Sequence, residues 1–338
     1  MRHKKDRVVI IGPARKNANN GNWQTAARWA RFLRHDYDVS VGTDWPAEDE
    51  AHSPACMIAL HARRSAAAVA RFAAACPKAP LVLVLTGTDL YRDIQSDESA
   101  RRSLDLATRL VVLQEEALNE LAPAHRVKSR VIYQSAPTLK PGQSNQRSFD
   151  VVLVGHLRAE KDPLTPMRAL EFLAPDSLVR LIHIGKALDD EYLAAAKAWQ
   201  ARQWPTLQRY VWMGERPHGE TRQRIRHARA MVISSLMEGG ANVIVEAVSA
   251  GVPVLASCIS GNVGMLGRDY EGYFGVGDCK KLASLLDKTS TDPHFLQRLR
   301  QQCAVRAPLF APERERAEVI ELVRELLHDA PHGAGEPT

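Results

Sequence analysis

The sequence predicts an α/β protein built from two successive doubly wound domains, each a Rossmann-like parallel sheet with helices on both faces. Three observations lead there. Short β-branched runs alternate with longer helical stretches, and continuous apolar strands separated by helices belong in a parallel sheet covered on both sides. At 338 residues the chain exceeds what a single hydrophobic core usually serves. The alternation breaks once, at 140–148 (KPGQSNQRS), which is polar, carries Pro and Gly and has no apolar period.

Taken in order, 7–13 reads as the first strand and 23–35 as a helix with apolar Ala26, Trp29, Ala30 and Leu33 on one side. Strands follow at 37–41, 56–61, 81–86, 109–114 and 130–133, with helical composition at 64–75 and 98–107. These make an N-terminal domain over 1–139, with 140–148 as the expected linker. The pattern restarts with strands at 150–155, 179–185, 209–213, 231–235 and 253–257, separated by helices at 163–173, 189–203, 218–227 and 242–250. A C-terminal domain over 149–310, an amphipathic helix over 311–328 and a disordered tail over 329–338 complete the reading. Ligands of such sheets bind beyond the carboxyl ends of the strands, and two such edges are expected to face one another across a cleft.

Composition narrows the function. Apolar residues make up 45% and charged residues 25%, which is ordinary for a globular protein and contrary to wholesale disorder. The net charge is +6, but 39 acidic residues are interspersed among 45 basic ones. Beyond Arg2, Lys4, Lys5 and Arg7 no basic block stands out, so nucleic acid is not the expected partner. A mild positive balance suits anionic small substrates such as diphosphates. The five cysteines are an odd number, widely spaced and without a CxxC pair, pointing to a reducing compartment, no disulfide framework and no zinc site. No apolar run approaches the ~20 residues of a membrane span, and the charged N-terminus lacks a signal core. A cytoplasmic protein without a membrane partner is the expectation.

The most informative stretch is 234–251, SSLMEGGANVIVEAVSAG. A strand ends near Ser235, Gly239 and Gly240 permit a tight turn, and Asn242 is placed to cap the helix that follows. Glu246, four residues after Asn242, points from the first turn toward the same mouth as Glu238. Free amides at such a helix start form an anion site. The dipole contributes only about 0.3–1 kcal/mol, whereas holding a diphosphate at micromolar to millimolar level needs about 4–8 kcal/mol. Fixed cations are therefore expected nearby. The loop 154–163 (VGHLRAEKDP) supplies Arg158, a planar fork, and Lys161, a mobile point charge, at the end of the preceding strand. Each segment by itself also fits an ordinary solvated βα turn.

Together the two segments resemble the retaining-type GT-B glycosyltransferases of the large family 4 group. That family has a glycine-hydrophobic-arginine-x-x-lysine loop early in its second domain, then two glutamates with seven residues between them. Arg158 and Lys161, and Glu238 and Glu246, stand in those places. The resemblance implies a metal-independent hexosyltransferase with a UDP-sugar donor and no separate cofactor. Arg158 and Lys161 would hold the donor diphosphate, Glu246 the ribose hydroxyls and Glu238 the donor sugar. The stretch Gly239, Gly240, Ala241, Asn242 and Val243 joins the donor site, and 212–216, with Met213, flanks the base. In GT-B enzymes the loop after the first strand covers the transferred group. Here that loop is 13–24 (PARKNANNGNWQ), with Gly21 on the donor and Asn22 among the catalytic candidates beside Glu238 and His61.

Departures narrow the resemblance. Most members place Phe-Gly after the first glutamate, where this chain has Gly239-Gly240-Ala241-Asn242, and 260–267 (SGNVGMLG) stands where a donor-loop acid is often found. Those features, with 86–91 (TGTDLY) and Gly21-Asn22-Trp23, are similar to the small selenosugar synthase group, which joins selenophosphate to a UDP-sugar. The implied partners are a UDP-sugar of N-acetylglucosamine or glucose and selenophosphate, which needs a cationic pocket more than a strong base. Lys16, His61, Arg63, Thr86 and Asp89 are the acceptor-side candidates. Arg63 also fits the start of a solvated helix, and Asp89 a helix cap. A hydroxyl acceptor and a UDP-sugar 2-epimerase are alternatives on the same fold, and a basic non-catalytic binding protein is the alternative outside that chemistry. Asp36-Tyr37-Asp38 has a metal-site spelling but sits at a strand entry without a third ligand. The 12 histidines show no ligand spacing, and Trp199, Trp204 and Trp212 read as packing residues.

Overall fold

The computed structural model describes residues 5–13, 21–46 and 53–329. Lys16, and 330–338 of the expected tail, lie outside the described residues. The chain divides into two compact units, Met1–Gln134 with Pro312–Thr338, and Ser135–Ala311.

The first unit holds six parallel strands: β1 (Arg7–Ile11), β2 (Asp38–Gly42), β3 (Cys56–Leu60), β4 (Leu81–Leu85), β5 (Arg109–Val112) and β6 (Ser129–Val131). Their order is β2-β1-β3-β4-β5-β6. Strands β3 and β4 are buried at every residue, which is why they read as unbroken apolar runs. Alternate residues serve opposite faces. Val8, Ile10 and Ile58 cluster with Trp29 and Leu33 of the helix Gly21–Leu33 and with Val319, Leu322 and Val323 of the helix Pro312–Asp329. Val9, Met57 and Leu83 cluster with Phe72 of the helix Ala66–Ala75 and Leu104 of the helix Glu98–Leu106.

The last helix thus completes the first unit's core. Glu315 is fully buried there, and its carboxylate accepts from Arg28 Nε at 2.7 Å and Trp29 Nε1 at 2.8 Å. Gly21 and Asn22, expected on a loop, instead form the first turn of their helix, where Thr25 Oγ1 donates to the Gly21 carbonyl at 3.0 Å.

The second unit holds β7 (Phe149–Val154), β8 (Val179–Ile184), β9 (Tyr210–Trp212), β10 (Ala230–Ile233), β11 (Val254–Ser257) and β12 (Tyr273–Phe274), again parallel, in the order β12-β11-β10-β7-β8-β9. The helices His218–His227 and Asn242–Ser249 follow the expected pattern. Strand β12 and the helices Ser260–Leu266, Cys279–Thr291 and Pro293–Arg306 are additions to it. A two-residue strand carries no period to read. Residues 135–148 have no helix or strand and are tied into the second unit, Leu139 N–H donating to Ser249 O at 3.1 Å and Gly142 N–H to Arg226 O at 2.8 Å.

Each sheet reverses its strand order at one place, between β1 and β3 in the first unit and between β7 and β10 in the second. The crevice beyond the carboxyl ends at such a switch point is where open α/β sheets hold ligands. No described helix is long and apolar enough to cross a membrane.

Candidate functional site

At the switch point of the second sheet, the loops after β7 and β10 are laced together. Buried Ser234 donates its hydroxyl to the carbonyls of Lys161 at 3.0 Å and Asp162 at 2.8 Å, and Leu236 N–H donates to Glu160 O at 2.9 Å. Asp162 turns the chain with φ +40°, and its carboxylate accepts Thr165 Oγ1 at 2.6 Å. This brings Lys161 Nζ onto Glu238 Oε1 as an ion pair, and the same oxygen accepts Ser235 Oγ at 2.6 Å.

The stretch 260–267 supports that arrangement from behind. Gly261 lies so close to the Glu238 backbone that a Cβ there would stand 1.8 Å from the Glu238 carbonyl oxygen. Ser257 Oγ donates to Ser235 O at 2.7 Å, and Asn262 Nδ2 donates to Ser257 O at 2.9 Å.

Arg158 sits in the same loop. Its Nε is buried without a hydrogen-bond partner, and the Glu160 carboxylate is 3.9 Å away. The helix after β10 starts one residue earlier than a side-chain cap on Asn242 requires. Ala241 is the N-cap, and no side chain bonds the first amides. Asn242 is therefore the first helical residue rather than the cap. Gly239, Gly240 and Ala241 are buried and Val243 half-buried. Glu246 is 8% exposed, and its Oε1 is paired with His218 Nε2 at 2.5 Å.

Two histidines of this site escaped the sequence reading. His218 carried no signal beyond its place at a helix start. His183 lies inside β8, with Nδ1 2.9 Å from the Tyr210 hydroxyl and Nε2 3.0 Å from the Gly155 carbonyl. Burial pushes its pKa down to about 4, so the ring is neutral. The Tyr210 hydroxyl then donates to Nδ1 and Nε2–H to Gly155 O. Met213 N–H donates to His183 O at 2.9 Å, tying the loop after β9 to the same strand.

At the first unit's switch point, β3 is followed directly by His61, a buried residue with φ +74°, a conformation that costs a non-glycine residue energy. Its Nε2 lies 3.1 Å from Thr88 Oγ1 and 3.9 Å from Asp93 Oδ2. Burial lowers its pKa against the opposing pull of Asp89. Asp89 is fully buried, and its oxygens accept the amides of Gly87 at 2.8 Å, Thr86 at 2.9 Å and Ala62 at 3.0 Å. With both oxygens engaged by the chain's own amides, it clamps the β3 and β4 loops together and is not open to an acceptor. Arg63 Nε pairs with Asp93 Oδ2 at 2.9 Å while its side chain remains 40% exposed, and Thr86 is half-buried. A cavity of about 1000 Å³, lined by Lys5, Asp6, Arg34 and Tyr37, opens at the amino ends of β1 and β2, the edge away from His61. Among the described residues, no three His, Cys, Asp or Glu side chains gather closely enough to hold a metal ion.

The chain is similar to known proteins of one family and fold. The family Glycosyl transferases group 1 matches residues 137–307, half of the chain. Solved structures of similar fold include HepE of Anabaena in complex with UDP and glucose, at 16% identity and TM-score 0.73, covering 95% of this chain and 100% of that one. Sucrose-phosphate synthase from Thermosynechococcus elongatus matches at 15% identity and TM-score 0.76, covering 96% of this chain and 100% of that one. The pneumococcal O-GlcNAc transferase GtfA, in complex with UDP and GlcNAc, matches at 16% identity and TM-score 0.62 over 81% of this chain and 57% of that one. At such identities the likeness speaks for the fold, an α/β GT-B architecture with two Rossmann-like sheets. With the family matched across both loops of the second switch point, the chain belongs to the group 1 glycosyl transferases.

Proposed function

We propose that this chain transfers a hexosyl group, N-acetylglucosamine or glucose, from a UDP-sugar to selenophosphate. One observation carries the donor half: the loop after β7 that holds Arg158 and Lys161 is paired through Lys161 with Glu238 of the loop after β10, Glu246 lies on the helix that follows, and the buried Arg158 Nε has no hydrogen-bond partner. A diphosphate is the ligand class that satisfies such a group. The complexes of HepE with UDP-glucose and of GtfA with UDP and GlcNAc support a uridine diphosphosugar.

On this reading Arg158 and Lys161 meet the charge that develops on departing UDP, a group of fixed donors aimed at the leaving group. Lys161 turns from Glu238 to the phosphate, and Glu238 is released to the sugar hydroxyls. Glu246 receives the ribose diol, the backbone of 239–243 lines the site and Met213 borders the base, while the resemblance assigns Gly21 to the transferred group. The bond from the anomeric carbon to the UDP oxygen breaks as the carbon–selenium bond forms. Selenophosphate already bears the charge of a soft nucleophile, so no strong base is required. The resemblance assigns its phosphate to Arg63 and Thr86 together with Lys16, and gives Asn22 and His61 catalytic roles. The acceptor rests on the resemblance of 86–91, Gly21-Asn22-Trp23 and 260–267 to the selenosugar synthase group.

A hydroxyl acceptor is the second reading, and His61 favours it. A buried imidazole held neutral is a suitable base for a hydroxyl, which selenophosphate does not need. The two separate in one experiment. Purified protein is incubated with UDP-GlcNAc or UDP-glucose, with and without selenophosphate or a mixture of sugars and polyols, and UDP release and product mass are read. Selenophosphate-dependent release with a selenium-bearing hexose product is expected. Release with polyols alone transfers the acceptor to a hydroxyl. UDP-ManNAc formed without any nucleophile makes the protein an epimerase.

A further inference from the structure

We propose that His218 is a positioning residue that sets the preference for a ribonucleotide by holding Glu246 in one orientation. The inference rests on the reading of this site as a nucleotide-sugar site. The Glu246 side chain is 9% exposed and that of His218 is 42% exposed, and Nε2 sits 2.5 Å from Oε1. The two residues come from neighbouring helices, His218–His227 and Asn242–Ser249, which pack on each other. The other acid at that helix start is engaged elsewhere, with Glu220 3.5 Å from Arg216 and 3.7 Å from Arg224. His218 therefore faces Glu246 without a competing acid from its own turn.

The geometry explains why the ring matters for a diol. An ionised carboxylate has about four lone-pair directions. The imidazole occupies one on Oε1, which leaves Oε2 and one direction on Oε1 for a ligand. Two vicinal hydroxyls need two remaining directions at once, so the carboxylate plane must be fixed before the ligand arrives. A single hydroxyl is met by a carboxylate in many orientations. Removing the ring restores rotation about the Glu246 side-chain bonds, and that freedom is lost again on binding the diol. The loss falls on ribose and leaves 2′-deoxyribose nearly untouched.

The test measures calorimetric dissociation constants of UDP and 2′-deoxy-UDP for the full chain, as wild type, His218→Ala and His218→Gln. The wild type is expected to prefer UDP by about tenfold, the worth of one hydrogen bond to a charged group. His218→Ala loses most of that preference by weakening UDP binding, with 2′-deoxy-UDP changed within about twofold. His218→Gln, whose amide N–H reaches the same oxygen, restores it. A loss of fold would weaken both ligands equally, so the ratio is the informative quantity. Should His218→Ala melt early, His218→Leu repeats the comparison with the volume kept. A His218→Ala or His218→Leu protein that melts like the wild type and keeps the wild-type preference, or is weakened equally for both ligands, overturns the role of His218. A wild type that binds neither nucleotide overturns the nucleotide reading itself.

Discussion

Replacing Gly261 by alanine tests whether the helix Ser260–Leu266 sets the position of Glu238. A Cβ at 261 would stand 1.8 Å from the Glu238 carbonyl oxygen and 2.8 Å from its carbon, whereas ordinary contact begins at 3.4 Å. Both atoms belong to backbone, so no side chain can swing aside, and the loop must retreat by more than an ångström. Forced overpacking of this kind costs about 1–3 kcal/mol. In a unit of this size about 2 kcal/mol lowers the melting temperature by about 4–8 °C. The same retreat pulls Glu238 Oε1 from Ser235 Oγ, now at 2.6 Å, and from Lys161. Misplacement by about 1 Å costs roughly 100-fold in rate. Differential scanning fluorimetry and donor kinetics together are the assay. We expect a cooperative but earlier melt, and kcat/KM for the sugar nucleotide down about 100-fold. Gly219→Ala is the control, because a Cβ there meets nothing within 4 Å. Its helical position gains up to about 1 kcal/mol, and kinetics stay unchanged. A Gly261→Ala protein with wild-type melting and donor kinetics would refute the reasoning.

Further outcomes follow from single contacts. The folded pKa of His183, about 4, lies below the ordinary 6.5, so its neutral ring stabilises the fold fully above pH 6.5. That stabilisation is lost as pH falls from 6.5 toward about 4, and urea melts at pH 7.5 and pH 5 should differ by about 2 kcal/mol. His61 and His156 are lowered by burial too and act in the same direction; a pH-independent midpoint would contradict this. Glu315→Ala leaves Arg28 and Trp29 Nε1 without their buried acceptor and should cost about 3–5 kcal/mol in urea. On the proposed assignment of Arg158 and Lys161 to the diphosphate, EDTA should leave turnover unchanged, and a loss restored by magnesium would remove that account.

Much of this molecule is legible from local patterning. The buried runs of β3, β4 and β7 read as parallel strands because both faces of each sheet are covered, and the helix His218–His227 matches its expected span. The cation loop and the two glutamates were found because short-range spacing puts each at the end of a strand or the start of a helix. Boundaries were less secure: Gly21 and Asn22 joined the first turn of a helix where their composition favours a turn, and Asn242 took the first helical place instead of the cap. The last helix displays its apolar stripe in the sequence, but only its docking beside Trp29 shows which core it fills.

What the sequence by itself determined was the kind and order of the elements up to β11, the amphipathic last helix, and the residue types on the loops of the second switch point. Tertiary structure alone decided the partners: Lys161 on Glu238, His218 on Glu246, Asp89 on three amides, His183 on Gly155. Hydrophobic period and helix-start chemistry act within a few residues, so they leave marks in a local window. An ion pair or a buried hydrogen bond joins groups 28 or 77 positions apart, as in His218–Glu246 and Lys161–Glu238, and nothing in either local window records it. The strand order, which sets β7 beside β10, brings the Lys161 and Glu238 windows together, and the packing of the two helices that flank β10 does so for His218 and Glu246.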